Sequence, residues 1–300
     1  MPYLTIFSAP KPFTNPHIAT IQRNALKSWL HLGKEVEVLL VGEEEGITEV
    51  ARELGVRHLP DVARNSRGTP LVSSIFSLAR QVSTSPLLAY VNADIILRSD
   101  FIQSVHQVDA QVKNFLVVGQ RWDLELNQEL EFLPNWEFDL LAKAKMQGCK
   151  NTTGIDFFIF PRHQYSKIPD FAIGRAGWDN WMIYHAHQQS WLVIDASASI
   201  AVIHQNHDYS HLPEGRPHYD IEESRLNIAL AGEEASLYTI LDANRLLVNG
   251  RIRFRPINFL RTIRWLELKL MPLDRKKHKI RWQMVRRLRR IRRSINRSKT

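Results

Sequence analysis

Two rhythms of apolar and polar positions alternate along the first 250 residues. Short apolar runs at Leu4 to Phe7, Val36 to Val41, Val56 to Leu59 and Leu87 to Val91 read as strands buried on both faces. Between them the spacing turns helical. Ile18, Ile21, Ala25, Trp29 and Leu32 share one face of a helix over 17–32, residues 47–54 form a second helix closed by Gly55, and Leu71, Ile75, Leu78 and Val82 line a third. Strands alternating with helices predict a parallel sheet covered on both sides, whose ligands sit beyond the carboxyl ends of the strands. Past residue 94 the pattern loosens. It predicts a helix capped by Asp100 and running to about Val112, a strand at Phe115 to Val118, a helix at Trp136 to Gln147, a strand at Ile155 to Phe160 and a helix at Gly177 to Gln188. Short strands at Trp191 to Ile194 and Ile200 to Ile203 complete it. No repeat or low-complexity linker interrupts residues 1–250, which read as one domain.

Charge separates the remainder. The net +9 of the 300 residues hides an asymmetry, because residues 251–300 hold 19 Lys and Arg against 2 Asp and Glu, whereas the first 250 hold 21 against 29. A basic tail on an acidic body calls for a polyanionic partner for the tail alone. Within the tail, Ile280, Met284, Leu288, Ile291 and Ile295 fall on one helical face, with arginines on the others and Trp282 near the boundary. That arrangement predicts an in-plane helix on an anionic membrane surface, through residues 256–298. An arginine-rich nucleic-acid helix and a partner-protein helix are the alternatives; the acidic body and the regular apolar stripe disfavour nucleic acid. Cys149 is the single cysteine, so a reducing compartment fits. The amino terminus lacks the charge and apolar pattern of a leader, and no apolar run approaches a bilayer span. The expectation is a cytoplasmic protein held peripherally at the inner face of the membrane.

Candidate chemistry narrows on YVNADIIL, residues 90–97, where a buried strand runs into Asn92, Ala93 and Asp94. No G-x-G-x-x-G and no Walker loop occurs, which removes support for dinucleotide and P-loop chemistry. A carboxylate at a strand's end suits a hard divalent cation that bridges to phosphate, Mn2+ or Mg2+. It also suits a plain turn cap.

Strand, helix, strand, helix, strand, then VARNSRGTP at 62–70, YVNADIIL, and GRAGWDNW at 174–181 together resemble glycosyltransferases of the GT-A fold, family-2-like members in particular, over roughly residues 3–210. The resemblance implies an α/β, Rossmann-like, mostly parallel sheet flanked by helices, extended here by the basic amphipathic helical tail. It implies transfer of a sugar from a nucleotide-diphosphate donor to a glycan or lipid-linked acceptor, metal-assisted and inverting. By position, Asp94 would hold the metal on the donor diphosphate, and Asn92 stands where the family has a first Asp near the ribose. Asp179 matches the base that takes the acceptor proton, with Trp178 and Trp181 beside it for the acceptor sugar. Ser8, Ala9, Pro10, Glu43, Arg64, Asn65 and Gly68, with Ala93, would surround the donor nucleotide, Arg67 being either a phosphate contact or a solvated arginine. His204, rather than His207 or His211, matches the family's C-terminal metal histidine, and His207-Asp208 would belong to a closing loop. Asp156, after Thr153, either binds acceptor hydroxyls or is structural. A non-catalytic sugar-nucleotide or glycan-binding module and a nucleic-acid adaptor are the competing functions.

Overall fold

The computed structural model describes residues 1–151, 154–207, 222–272 and 278–297. In chain order the body runs β1 (Leu4–Ser8), α1 (Pro16–Leu30), β2 (Val36–Val41), α2 (Ile47–Leu54), β3 (Arg57–Leu59), α3 (Val72–Val82), β4 (Leu87–Val91), β5 (Ile95–Ile96), α4 (Ser99–Asp109), β6 (Phe115–Val118) and β7 (Arg121–Leu124). It continues through α5 (Trp136–Gln147), β8 (Cys149–Asn151), β9 (Phe157–Pro161), α6 (Trp178–Gln188), β10 (Leu192–Asp195), β11 (Val202–Gln205) and α7 (Glu222–Leu230). Then come β12 (Arg245–Val248), β13 (Arg251–Phe254), α8 (Phe259–Leu270) and α9 (Lys279–Arg297).

Among the described residues, nine strands form one sheet in the order β13-β12-β10-β6-β9-β4-β1-β2-β3. β3, β2, β1 and β4 are parallel, as are β6, β10 and β12; β9 runs antiparallel between β4 and β6. This is the α/β, mostly parallel sheet that the alternation predicts. Every residue of β1, β4 and β9 is buried, because helices cover both faces. The period of two divides the core accordingly. Leu4, Ile6, Ala89 and Val91 pack with Trp29 and Phe101 on one side, while Phe7, Leu88 and Tyr90 pack with Phe76, Phe158 and Met182 on the other. Local chemistry sets the helix ends. Asn15 Oδ1 accepts from the Ile18 N–H ahead of Pro16 at the start of α1. Gly55, at φ 66°, closes α2. At α4 the cap position belongs to Arg98, and Asp100 lies inside the first turn, two residues past the cap.

A smaller sheet, β5-β11-β7-β8, crosses the rim where the parallel strands end. β11 runs antiparallel to β5 and parallel to β7, with His204 paired to Asp123.

The tail departs from the expected boundary at residue 250. β12 and β13 form a hairpin whose turn is Asn249-Gly250, at φ 49° and 72°, so residues 251–254 belong to the body's sheet. Asn-Gly between two strands is the pairing that a tight two-residue turn requires. The stripe on α9 is also divided. Ile280, Met284 and Ile291 are exposed alongside Arg286, Arg287 and Arg290, Leu288 and Ile295 are half-buried, and Val285, beside the stripe, is fully buried. Arg292 and Arg289 turn instead toward α8, where Glu267 is fully buried; Arg292 makes a forked contact with it at 2.7 and 3.2 Å. Among the described residues no helix is long and apolar enough to cross a membrane.

Candidate active site

Parallel register brings the carboxyl ends of β1, β2 and β4 to one rim, and antiparallel β9 begins there, with Phe157 opposite Val91. Asn92 to Ile95 turns tightly, the Ile95 N–H donating to the Asn92 carbonyl at 3.1 Å. Gln205 pins this turn from β11. Its backbone N–H and side-chain amide both donate to the Asp94 carbonyl, at 3.2 and 3.1 Å. Asp94 therefore points from a fixed backbone, and its Oδ2 lies 3.1 Å from His207 Nε2 and 3.6 Å from His204 Nε2. One ligand atom from each of the three falls within 4.8 Å of the others.

Burial would raise the Asp94 pKa, but His204 and then His207 hold it well below the usual carboxylate range. Burial would lower His204; Asp94 and Asp123 outweigh it and carry that imidazole up to about 9. Asp94 Oδ1 is buried and has no hydrogen-bond partner among the described residues. An orphaned carboxylate oxygen beside two imidazoles fits a divalent cation, and the nitrogen donors suit Mn2+ better than Mg2+, which prefers oxygen throughout.

Around this group the predicted residues divide. Asn92 donates its amide to Asp156 Oδ1 at 3.0 Å, so it is tied to a second carboxylate. Asp156 is 5% exposed; Oδ1 also accepts from Arg121 at 2.7 Å, and Oδ2 has no partner among the described residues. Asp179 stands in the first turn of α6, its Oδ1 accepting from the Gly177 N–H at 3.3 Å. Burial raises its pKa, helped by the charge of Asp156 and opposed by hydrogen bonds from Asn180 and Gly177. Gly177 adopts φ 110° against α7, and a Cβ there would meet Ile228 at 3.3 Å.

Trp178 and Trp181 correct an expectation. Both are under a tenth exposed: Trp178 packs on Tyr90, Phe158 and Phe76, and Trp181 stacks on His185 at 4.5 Å. Their faces are taken by the core, and neither presents an open platform for a sugar.

On the donor side, Ser8 is fully buried with its Oγ unpartnered among the described residues, Ala9 is half-buried and Pro10 buried. Arg64 spends its donors inside the protein, on Glu43 at 3.1 Å, Glu44 at 2.8 Å and the Gly68 carbonyl at 2.7 Å. Asn65 Oδ1 accepts from the Arg67 and Thr69 N–H groups and its amide donates to Glu223, while Arg67 pairs with Glu222. Gly68, at φ 81°, closes this loop with its N–H on the Asn65 carbonyl. Ala93 is buried within the Asn92 turn. Thr153, Asp208 and His211 lie outside the described residues. Sequence reasoning missed Arg121 and Asp123 altogether; their signal was a short alternation, Arg-Trp-Asp-Leu, placing two charged residues on one face of a strand.

No family model and no curated protein matches the chain. Among solved structures it is similar to the mannosyltransferase PcManGT from Pyrobaculum calidifontis in complex with GDP-Man and Mn2+, at 12% identity and TM-score 0.46 over 77% of this chain; the match spans 63% of that protein's length. It is also similar to the glucosyl-3-phosphoglycerate synthase of Mycobacterium tuberculosis, at 14% identity and TM-score 0.48 over 86% of this chain and 88% of that one. The same enzyme with Mn2+, uridine diphosphate and phosphoglyceric acid gives 14% identity and TM-score 0.46 over 77% and 78% of the two chains.

Proposed function

We propose that the protein is a nucleotide-sugar-dependent glycosyltransferase that works with inversion at the donor's anomeric carbon. The observation that carries this reading is the convergence of Asp94, His204 and His207 at the rim where the strands of the parallel half end, with the buried carboxylate of Asp179 close enough to Asp156 to feel its charge. Asp94, His204 and His207 would hold Mn2+. Bound there, the cation supplies positive charge to a departing diphosphate. Asp179, its pKa raised by burial, takes the proton of the acceptor hydroxyl as that oxygen attacks. Arg64, Asn65 and Gly68 frame the donor side as a braced loop.

The acceptor in this reading is a glycan carried on lipid, and the protein works at the cytoplasmic face of the membrane. Support comes from α9, where Ile280, Met284 and Ile291 are exposed beside Arg286, Arg287 and Arg290, the composition of a helix lying in an anionic interface.

A screen of nucleoside diphosphate sugars, with and without Mn2+, tests the donor reading. The expected result is one donor class that raises the melting temperature only with Mn2+ and releases nucleoside diphosphate on turnover. A donor that binds and is never turned over would make the protein a sugar-nucleotide-binding module instead.

A further inference from the structure

One pair of charged residues near this centre has no role in the reading above. Asp123 and Arg121 lie two apart on β7, so their side chains leave the strand on one face. β7 runs parallel to β11 with Asp123 in register with His204, which sets the carboxylate beside the imidazole. Asp123 Oδ1 is 3.0 Å from His204 Nδ1, in ion contact with the N–H directed off the line of a hydrogen bond. The opposite ring nitrogen, Nε2, faces Asp94. Arg121 closes the arrangement from behind. Its Nε donates to Asp123 Oδ1 and its Nη1 to Asp156 Oδ1, both at 2.7 Å. The guanidinium also lies tight against the backbone of Gly154, where an added Cβ would come within 3.0 Å of it.

We propose that Asp123 and Arg121 are positioning residues for the metal centre: Asp123 holds the His204 ring with Nε2 turned to the cation, and Arg121 ties Asp123 to Asp156. This rests on the proposed metal-dependent transfer. A ligating histidine commonly presents its second nitrogen to a carboxylate, which fixes the ring and raises its basicity, and losing that carboxylate costs about 10- to 100-fold in metal affinity. The planar fork of Arg121 reaches two carboxylates at once, a geometry that a lysine ammonium does not reproduce. Asn92 donates to the same oxygen of Asp156, so the bridge runs from the turn that carries Asp94, through Asp156 and Arg121, back to His204.

The test is Mn2+ affinity, read from the electron paramagnetic resonance signal of free Mn2+ in titrations of the full chain without donor. Parent, Asp94→Ala, Asp123→Asn, Asp123→Ala and Arg121→Lys are compared, with melting temperatures taken in chelator. Asp123→Ala is expected to weaken Mn2+ about 10- to 100-fold, and Asp123→Asn less, since an amide oxygen keeps an acceptor but no charge. Arg121→Lys, which keeps the charge and loses the fork, is expected to weaken Mn2+ as well, and it decides the matter should both Asp123 variants fail to fold. Parent-like Mn2+ affinity in folded Asp123 variants, or in Arg121→Lys where those do not fold, overturns the proposal. If Asp94→Ala abolishes binding in that case, the transferase reading stands without it. A parent that binds no Mn2+ overturns both.

Discussion

Asp179 carries a proton for longer than an ordinary carboxylate because burial, reinforced by Asp156, disfavours its charge. As a base it must be ionised, so transfer rises as pH climbs through its raised pKa. Asp179→Asn is expected to lower kcat by about two to four orders of magnitude, measured as nucleoside diphosphate release. Stability moves the other way. The protonated form is favoured in the folded state, so the group's contribution is fully present below the unfolded value, about 4, and is lost as pH rises through the folded pKa. Melting temperatures of Asp179→Asn should therefore match the parent in acid, exceed it increasingly between about pH 4 and the raised folded pKa, and keep a constant margin above it. A difference that stays flat with pH would contradict a desolvated carboxylate. At this scale the sequence is a partial guide. Asp94 and Asp179 were singled out through the motifs they lie in, YVNADIIL and GRAGWDNW, whereas the burial of Trp178 was not legible: an indole beside an Asp reads alike whether it faces a sugar or Phe158.

At the scale of elements, the docking of α9 on α8 depends on one carboxylate. Glu267 is fully buried and meets Arg264 at 3.4 Å, Arg289 at 3.7 Å and Arg292 at 2.7 Å, and Arg264 is further held by Asp242 at 2.9 Å. Glu267→Gln leaves three guanidinium groups around a neutral amide, and breaking a buried ion pair in this way costs about 3–5 kcal/mol. The expected outcome is loss of hydrogen-exchange protection over residues 279–297 while β1 and β4 keep theirs; unchanged protection in α9 would show that the apolar contact at Val285 suffices. The larger elements were legible because strands buried on both faces read as unbroken apolar runs. β5, β7 and β8 were not. They are two to four residues long, and β7 gives its positions to Arg121 and Asp123, so the site itself erases the apolar alternation that marks a strand. The β12–β13 hairpin had a readable signal in Asn249-Gly250, which a split made on charge alone overrode.

Over the whole molecule, the separation of charge is what the proposed membrane reading rests on. The body is acidic and the α9 helix basic, with Arg286, Arg287 and Arg290 exposed while Arg289 and Arg292 engage Glu267; under the proposed reading the exposed three would face an anionic surface. Each basic residue near an anionic surface contributes about 1 kcal/mol. Exchanging Arg286, Arg287 and Arg290 together for glutamine should thus weaken binding to phosphatidylserine-containing vesicles by about two orders of magnitude, as judged by co-sedimentation at fixed salt. Neutral vesicles should retain little of the parent, and equal retention by both lipid types would remove the electrostatic part of the reading.

The most direct measurement is sugar transfer by Asp94→Ala beside the parent, followed as nucleoside diphosphate released from the stabilising donor in the presence of Mn2+. Loss of nearly all release, together with loss of the Mn2+-dependent donor stabilisation, is the expected result. Release at the parent's rate would contradict the assignment of Asp94 to the departing diphosphate, and with it the proposed function of the rim.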